Sequence, residues 1–315
     1  MEPFLEFIRE NLGSPGLAIL ISNPQFAFIQ LLNSISMGMN YFIIAAGLSL
    51  IFGVLKVINF AHGAFYMFGA YITYSVTELM GLSFFWAVLA AAIGLMIMAL
   101  IIERCLFQFI YDKEHLMQLL LTFALVLILG DLAKIIWGTD QYSVAYPAGL
   151  AGATNLGITF YPTYRLMLCV LGPAIFISLW LFIERTRWGR ITKAATQDRD
   201  MLSALGINVP AIYTVVFLIG SALAGMGGAL ASPFNSPAPG MDANIIVECF
   251  VIVIIGGLGS LWGTFVGALI FGLVFNFGSV IVPNAQDVFA FLLLLIVLLI
   301  RPWGLYGRAE SEGKR

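Results

Sequence analysis

Polar side chains that can donate and accept hydrogen bonds interrupt one apolar stretch, GVLKVINFAHGAFYMFGAY at 53–71. Asn59 carries an amide, and His62 carries an imidazole that can also transfer protons. Because the two residues are three positions apart, we expect them to share one face of a helix. Lys56 precedes them and is expected to lie in a turn. Buried polar groups are costly without partners, so the face with Asn59 and His62 is predicted to point into the protein.

Two interpretations of Asn59 and His62 are compatible with their chemistry. They either cap or tie neighbouring backbone groups, or they line or gate a path for a polar solute. Glu248, in NIIVECFVIVII, is an acid in an apolar run and is expected near an outer mouth or paired inside. Further amides within the apolar runs are Asn33, Asn40 and Asn276. Such uncharged groups suit a zwitterionic or amide-like solute.

The composition is that of an integral membrane protein. The chain is 61% hydrophobic and 10% charged, and its mean hydropathy is +0.98, whereas soluble domains average about 25% charged residues. A net charge of −2 gives no indication of nucleic-acid binding. The 3 cysteines and 2 histidines fit no metal-ligand spacing, so neither a metal nor a cofactor is expected on this chain.

Apolar runs long enough for membrane helices recur along the chain. Eight clear runs lie near 26–54, 57–78, 82–105, 115–136, 165–184, 208–231, 262–282 and 286–301. A shorter run at 244–257 either crosses the membrane or re-enters it. We therefore expect an all-α, polytopic helical fold with about eight or nine transmembrane segments, some of them short or broken. The irregular segment 137–164 is too small to form a domain of its own.

The basic residues indicate the orientation of these segments in the membrane, because Lys and Arg concentrate in cytoplasmic loops. One group lies in the loop 184–200 and comprises Arg185, Arg187, Arg190, Lys193 and Arg199. A second lies in the tail and comprises Arg301, Arg308, Lys314 and Arg315. Placing both groups inside leaves few basic residues outside, Arg9 among them, and predicts an outside N-terminus and a cytoplasmic C-terminus. This orientation requires an odd number of crossings, so 244–257 is interpreted as the ninth.

A single transmembrane domain over 1–315 is expected, because no run of residues is long enough for a soluble domain. It would consist of N-terminal helices over 26–184, a cytoplasmic loop over 185–207 and C-terminal helices over 208–301. Such a protein works within lipid.

Glycines are abundant, and their spacing predicts close helix packing. Small residues four apart, which let helices approach in lipid, occur at Gly220, Ala224 and Gly228 and at Gly263 and Gly267. Gly63 is likewise expected beside a close neighbour. Four glycines in GGLGSLWG, namely Gly256, Gly257, Gly259 and Gly263, predict a broken helix. Broken helices at membrane depth are buried or line a cavity, and transporters often bind substrate there.

The basic loop contains a candidate amphipathic helix, RITKAATQDRDMLSAL at 190–205. Its apolar residues near one face are Ile191, Ala195, Leu202 and Leu205, and Gly206 follows as a helix stop. The helix either lies solvated at the membrane surface or fits a groove on a cytosolic motor. No G-x-x-x-x-G-K-[ST] phosphate loop occurs in the chain, so energy from ATP must come through a partner.

Three stretches resemble the permease subunits of branched-chain amino acid ABC importers of the LivH type. They are GLSLIFGVLKVINFAHGAFYMFGAY at 47–71, KAATQDRDMLSALGINVPAIYTVVFLIGSALAGMGGAL at 193–230 and GGLGSLWGTFVGALIFGLV at 256–274. Their order and spacing fit nearly the whole chain. The second stretch resembles the family's coupling motif, with Lys193 in place of the usual acidic residue.

The resemblance implies one subunit of a larger machine and no enzyme activity on this chain. A second, LivM-like permease would complete the channel, two cytosolic ATPases would bind ATP and Mg²⁺, and an extracytoplasmic binding protein would deliver the solute. The residues implied in ATPase coupling are Arg190, Ile191, Lys193, Ala194, Ala195, Leu202, Leu205 and Gly206. The polar residues within the apolar runs that are predicted to line the translocation path are Asn40, Asn59, His62 and Glu248.

Other functions remain open at the level of sequence. Permeases of urea and short-amide importers are of the same type. Because the spans contain few charges, they are compatible with a neutral amide as well as with a zwitterion. A stand-alone channel or facilitator is an alternative from another class. An intramembrane enzyme would require chemistry at His62.

Overall fold

The computed structural model describes residues 15–111, 113–283 and 286–307. In chain order the helices are α1 (Pro15–Ser22), α2 (Pro24–Leu55), α3 (His62–Tyr74), α4 (Phe84–Cys105), α5 (His115–Trp137), α6 (Thr163–Arg185), α7 (Arg187–Gln197), α8 (Arg199–Ala204), α9 (Val209–Ala231), α10 (Met241–Gly256), α11 (Leu261–Ile281) and α12 (Gln286–Ile300). A π-helical turn, Ser75–Leu79, extends α3, and a 3-10 turn, Phe107–Phe109, follows α4. The prediction of a helical membrane fold is confirmed.

Six of these helices are long and apolar enough to cross a membrane, namely α2, α4, α5, α6, α9 and α11. The predicted crossings at 57–78, 244–257 and 286–301 correspond to shorter helices, α3, α10 and α12, of 13, 16 and 15 residues. A helix rises about 1.5 Å per residue, so α3 spans only about 20 Å of an apolar layer about 30 Å thick. The sequence predicts that some segments are short, and α3 is one of them. The number of crossings, about eight or nine, stays a prediction.

The 32-residue helix α2 forms the centre of the bundle. Asn23 caps its start by accepting a hydrogen bond from the N–H of Phe26 at 3.1 Å, and Pro24 supplies the first-turn φ angle. Its middle third is buried all round, where α6, α9 and α11 pack against it. Lys56 ends the helix in the left-handed region, with φ of 57°, and its side chain is exposed in the turn that was predicted for it.

The two ends of α6 define the two faces of the molecule. The hairpin face lies before α6 and carries an antiparallel pair of strands, β1 (Ala153–Asn155) and β2 (Phe160–Pro162). The elbow face lies after α6 and carries α7 and α8. The rest of the segment 137–164 is largely irregular, as expected, and Asn155 accepts a hydrogen bond from the Gly157 N–H in the turn between the strands.

Some of the basic residues used to orient the chain lie outside the described residues. They are Arg9, Arg308, Lys314 and Arg315. Arg185, Arg187, Arg190 and Lys193 lie at the elbow face, as expected from their place in the sequence.

Candidate functional site

The turn that precedes α3 is built around Asn59. Its side-chain oxygen Oδ1 accepts a hydrogen bond from the Ala61 N–H at 3.1 Å, and its backbone oxygen accepts one from the His62 N–H at 3.3 Å. Residues 56–61 are not helical, and Thr122 of α5 donates its hydroxyl to the carbonyl oxygen of Ile58 at 3.3 Å. Since α3 begins only at His62, the expectation that Asn59 and His62 share one helix face is wrong. They meet instead because the turn folds back.

His62 joins the start of α3 to the middle of α2. Its Nε2 lies 2.9 Å from the carbonyl oxygen of Ile44. A carbonyl only accepts, so Nε2 must carry the proton and a neutral ring has an unprotonated Nδ1. The ring reaches Ile44 past Gly47, where an added β-carbon would lie 3.0 Å from His62 Cε1 and 2.4 Å from the Gly220 carbonyl oxygen. Backbone contact between α2 and α9 therefore closes this region.

Three of the expected path residues are buried. Asn59 and His62 are fully buried, and Asn40 is 5% exposed. Asn40 lies four residues before Ile44 and hence on the same face of α2. Three atoms, Asn40 Oδ1, Asn59 Nδ2 and His62 Nδ1, have no hydrogen-bond partner among the described residues. The hydrogen bonds of Asn59 and His62 match the interpretation that these side chains tie neighbouring backbone groups. The three atoms without partners could still contact a solute.

Glu248 lies on α10 beside the same helix pair. It is half-buried and interacts electrostatically with Tyr41 of α2 and Tyr66 of α3. Tyr66 lies one turn after His62 and accepts a hydrogen bond from Asn235 Nδ2 at 3.1 Å. The structure thus places Glu248 against helices that carry the other polar residues, within an otherwise apolar part of the chain.

The chain breaks between α10 and α11, as the glycines at 256–263 predict. Gly257 and Gly259 have φ angles of 102° and 79°, which L-side chains rarely adopt. An added β-carbon at Gly263 would lie 2.0 Å from the Gly256 carbonyl oxygen, and one at Gly53 would lie 3.0 Å from Gly259 Cα. The C-terminal segment covers this break, since the N–H of Tyr306 donates to the carbonyl oxygen of Gly256 at 2.9 Å. The break is therefore buried in protein.

Gly63 permits contact between the starts of two short helices. An added β-carbon at Gly63 would lie 2.4 Å from the backbone oxygen of Asp242, in the first turn of α10. Asp242 is itself buried. The predicted close neighbour of Gly63 is therefore the beginning of α10.

The elbow face contains two helices where one was expected over 190–205. Asp198 is extended and caps α8 by accepting a hydrogen bond from the Met201 N–H at 2.9 Å, so the helix cannot run through it. Ala195 and Leu202 are both 6% exposed and hold the two helices against the bundle. Leu205, expected on the same face, is 70% exposed because α8 ends at Ala204.

The angle between α7 and α8 forms an open cleft of about 320 Å³. It is lined by Arg187, Arg190, Ile191, Ala194 and Leu202. Lys193 lies outside it and pairs with Glu184 of α6. Gly206, with φ of 77°, ends the elbow as predicted, and its N–H donates to the carbonyl oxygen of Ser203 at 3.0 Å. The cleft thus combines exposed guanidinium groups with an apolar floor.

The hairpin face is tied to α2 through Asn33. Its Oδ1 accepts hydrogen bonds from Tyr161 at 2.9 Å and from the Nη1 of Arg165 at 2.6 Å. Burial raises the pKa of Tyr161 to about 12, so its hydroxyl remains a donor at physiological pH. Asn276 of α11 reaches the same end of α2, where its Nδ2 donates to the backbone oxygen of Gln30 at 2.8 Å. Asn33 and Asn276 therefore have structural partners.

Comparison with known proteins places this architecture in a family. Residues 30–299 match the family model described as a branched-chain amino acid transport system permease component. The permease LivH of Salmonella typhimurium strain LT2 is 31% identical over 309 residues, which cover 92% of this chain and 99% of that protein. BraD of Pseudomonas aeruginosa is 30% identical over 298 residues, covering 90% and 96%.

A more distant relative matches only in part. The fructose import permease FrcC of Rhizobium meliloti is 34% identical over 158 residues, 45% of this chain and 41% of that protein. No solved structure matches. The match to the family model and the full-length relatives together show that this chain belongs to the permease components of branched-chain amino acid transport systems.

Proposed function

We propose that the chain is the transmembrane permease subunit of an ATP-driven importer of branched-chain amino acids. The observation that supports this function best is the likeness to LivH and BraD over at least 90% of the chain. Those relatives are named as permeases of high-affinity branched-chain amino acid transport systems. The whole chain acts as one permease domain in the cytoplasmic membrane of a prokaryote.

The elbow is the proposed contact with the ATPases. Its cleft carries two exposed arginines, and the neighbouring surface exposes large apolar side chains, Met201 at 60% and Leu205 at 70%. Such a surface is unusual on a solvated loop and suits a protein partner. The elbow then faces the cytoplasm, the hairpin face lies outside, and the chain runs from an outside N-terminus to a cytoplasmic C-terminus.

The proposed partners are those that the resemblance to LivH-type permeases implies, and the lack of a phosphate loop in the sequence fits them. Two ATPase subunits would bind ATP and Mg²⁺, and this chain would bind neither. A second permease, LivM-like, would complete the channel, and a binding protein would deliver the amino acid at the hairpin face. Nucleotide binding would shift the equilibrium between two conformations of the permease pair. The size of that shift is set by the difference in nucleotide affinity between the two conformations.

The translocation path is proposed to run along the start of α3. Asn40, Asn59 and His62 contribute the unused polar atoms there, and Glu248 contributes a half-buried carboxylate nearby. Because Asn59 and His62 are fully buried, the proposed path would be closed at this level.

Uptake measurements test the proposed function. Deletion of the gene is expected to abolish high-affinity uptake of radiolabelled leucine and to leave urea uptake unchanged, and the plasmid-borne gene should restore it. The purified chain alone in liposomes should give no leucine flux. Loss of urea uptake instead, or flux through the single chain without ATP, would contradict the proposal.

A further inference from the structure

Asn59 and His62 each have one unused hydrogen-bonding atom, and the two atoms are of opposite kinds. Asn59 Oδ1 accepts from the Ala61 N–H, which fixes the orientation of the amide and leaves Nδ2 as a donor. His62 Nε2 donates to the Ile44 carbonyl, which leaves Nδ1 of the neutral ring as an acceptor. Neither atom has a partner among the described residues, and both side chains are fully buried.

Such a pair is unusual in a folded protein, because buried polar atoms are almost always hydrogen-bonded. The pair also lies where negative charge is favoured. His62 is the first residue of α3, where the helix dipole favours negative charge. The N–H groups of His62, Gly63 and Phe65 there are bonded to preceding carbonyl oxygens. Gly63 lets this helix start approach that of α10, where an added β-carbon would lie 2.4 Å from the Asp242 carbonyl oxygen and 3.0 Å from Ile246 Cβ.

We propose that Asn59 and His62 form the binding site for the backbone groups of a free amino acid. The α-carboxylate accepts a hydrogen bond from Asn59 Nδ2 at the start of α3, and the ammonium group donates one to His62 Nδ1. One donor and one acceptor, three residues apart, match the two charged groups of a zwitterion. This inference rests on the proposed function and specifies which part of the substrate the permease itself recognises.

Access to this site requires helix movement. His62 is covered where α2 and α9 meet, and the contact between these helices at Gly47 and Gly220 is made by backbone. Asn59 is also fully buried, in the turn that begins α3. Binding at the two atoms therefore requires a movement that uncovers both residues. A transporter that alternates between two states supplies such a movement.

The substitution Asn59→Asp separates a binding role from a capping role. Aspartate keeps an oxygen for the Ala61 N–H and replaces the donor Nδ2 with a second oxygen. The new carboxylate is buried, and negative charge at a helix start offsets the cost of burying it only in part. Leucine binding is therefore compared only in variants that assemble with the ATPases. In such a variant, an oxygen in place of Nδ2 should weaken the bond to a carboxylate.

The measurement is equilibrium binding of radiolabelled leucine to the complete permease–ATPase complex in nanodiscs, without the binding protein. Unlabelled leucinamide lacks the carboxylate, 4-methylpentanoate lacks the ammonium, and urea lacks both. We expect leucinamide and 4-methylpentanoate to compete at least tenfold more weakly than leucine, and urea not to compete. Asn59→Asp should weaken leucine binding tenfold or more and leave leucinamide binding unchanged or stronger.

Matched controls distinguish folding from binding. Asn23→Asp makes the same change at another helix cap, where Asn23 is exposed and accepts from the Phe26 N–H at 3.1 Å, and should leave binding unchanged. Asn59→Ser keeps a capping oxygen without adding charge and should also weaken leucine binding. It replaces Asn59→Asp in the measurement if the aspartate variant fails to assemble. Assembly is checked by co-purification of the ATPases.

Two results would overturn the inference while the proposed function stands. One is wild-type leucine affinity in both Asn59 variants, which would mean that Nδ2 contacts only the chain or water. The other is a complex that imports leucine but fails the binding test. It fails if it does not bind leucine without the binding protein, or if it binds leucinamide as tightly as leucine. A wild-type complex that imports no leucine would instead refute the proposed function.

Discussion

His62 Nε2 lies 2.9 Å from the carbonyl oxygen of Ile44, so a side chain at the start of α3 is bonded to the middle of α2. This bond places the beginning of a short helix inside the bundle, beside backbone contacts between α2 and α9. Asn59 is buried in the turn before this helix, and the elbow that is proposed to receive the motor lies at one end of the same bundle.

Close glycine contacts between α3 and α9 should be essential to the packing. A β-carbon at Gly228 would lie 1.9 Å from the backbone oxygen of Tyr66, which cannot move without the helix. Gly228→Ala is therefore expected to destabilise the permease by about 1–3 kcal/mol or more. Thermal unfolding of the purified complex in detergent measures this.

Gly130→Ala is the matched control for that change. Gly130 lies in α5 with nothing within 4 Å of an added β-carbon. The alanine should be neutral or stabilise the helix by up to about 1 kcal/mol. Equal loss of stability in both variants would contradict the packing described here.

A buried hydroxyl ties α6 to the end of α9. Tyr164 is 1% exposed, and its hydroxyl donates to the carbonyl oxygen of Leu230 at 2.7 Å. Tyr164→Phe leaves that carbonyl without this donor and should lower the free energy of unfolding by about 1–2 kcal/mol. Thermal unfolding is again the measurement.

The control is Tyr306→Phe, since Tyr306 is 54% exposed, and this change should shift the melting temperature little. A Tyr164→Phe protein as stable as the wild type would show that the hydrogen bond contributes nothing.

Much of the helical pattern could be predicted from the sequence. Long apolar runs bounded by Pro, Asn or Gly give helix ends within a few residues of α2, α5 and α9, because hydropathy and caps act locally. The helix break at Gly257 and Gly259 was predictable for the same reason.

The errors share a physical cause, which is that hydropathy does not report backbone conformation. VINFAHG is apolar enough to continue a helix, yet Asn59 closes a turn there. Asp198 starts a second elbow helix, and the sequence TQDRD does contain that capping signal. The partner of His62 depends on packing across 18 residues of sequence, which no local pattern indicates.

The elbow should separate into residues that hold its shape and residues that contact the ATPases. Leu205 is 70% exposed, whereas Leu202 is 6% exposed. Leu205→Asp is expected to leave the permease stable and to reduce ATPase co-purification and leucine uptake about tenfold, as for an interface residue of large effect.

Leu202→Ala should instead lower thermal stability, because it removes buried apolar contacts. Normal ATPase binding and uptake in Leu205→Asp would contradict the proposed contact surface at the end of α8.

Sided labelling tests the central claim, that a cytosolic motor acts on this permease through the elbow. A protein without native cysteines would carry one new cysteine, Ser203→Cys in α8 or Ala151→Cys at the hairpin face, both at exposed positions. With a membrane-impermeant maleimide, Ser203→Cys should react only in inside-out vesicles and Ala151→Cys only in right-side-out vesicles. Reaction of Ser203→Cys in right-side-out vesicles would place the elbow outside the cell, where no cytosolic ATPase can bind it.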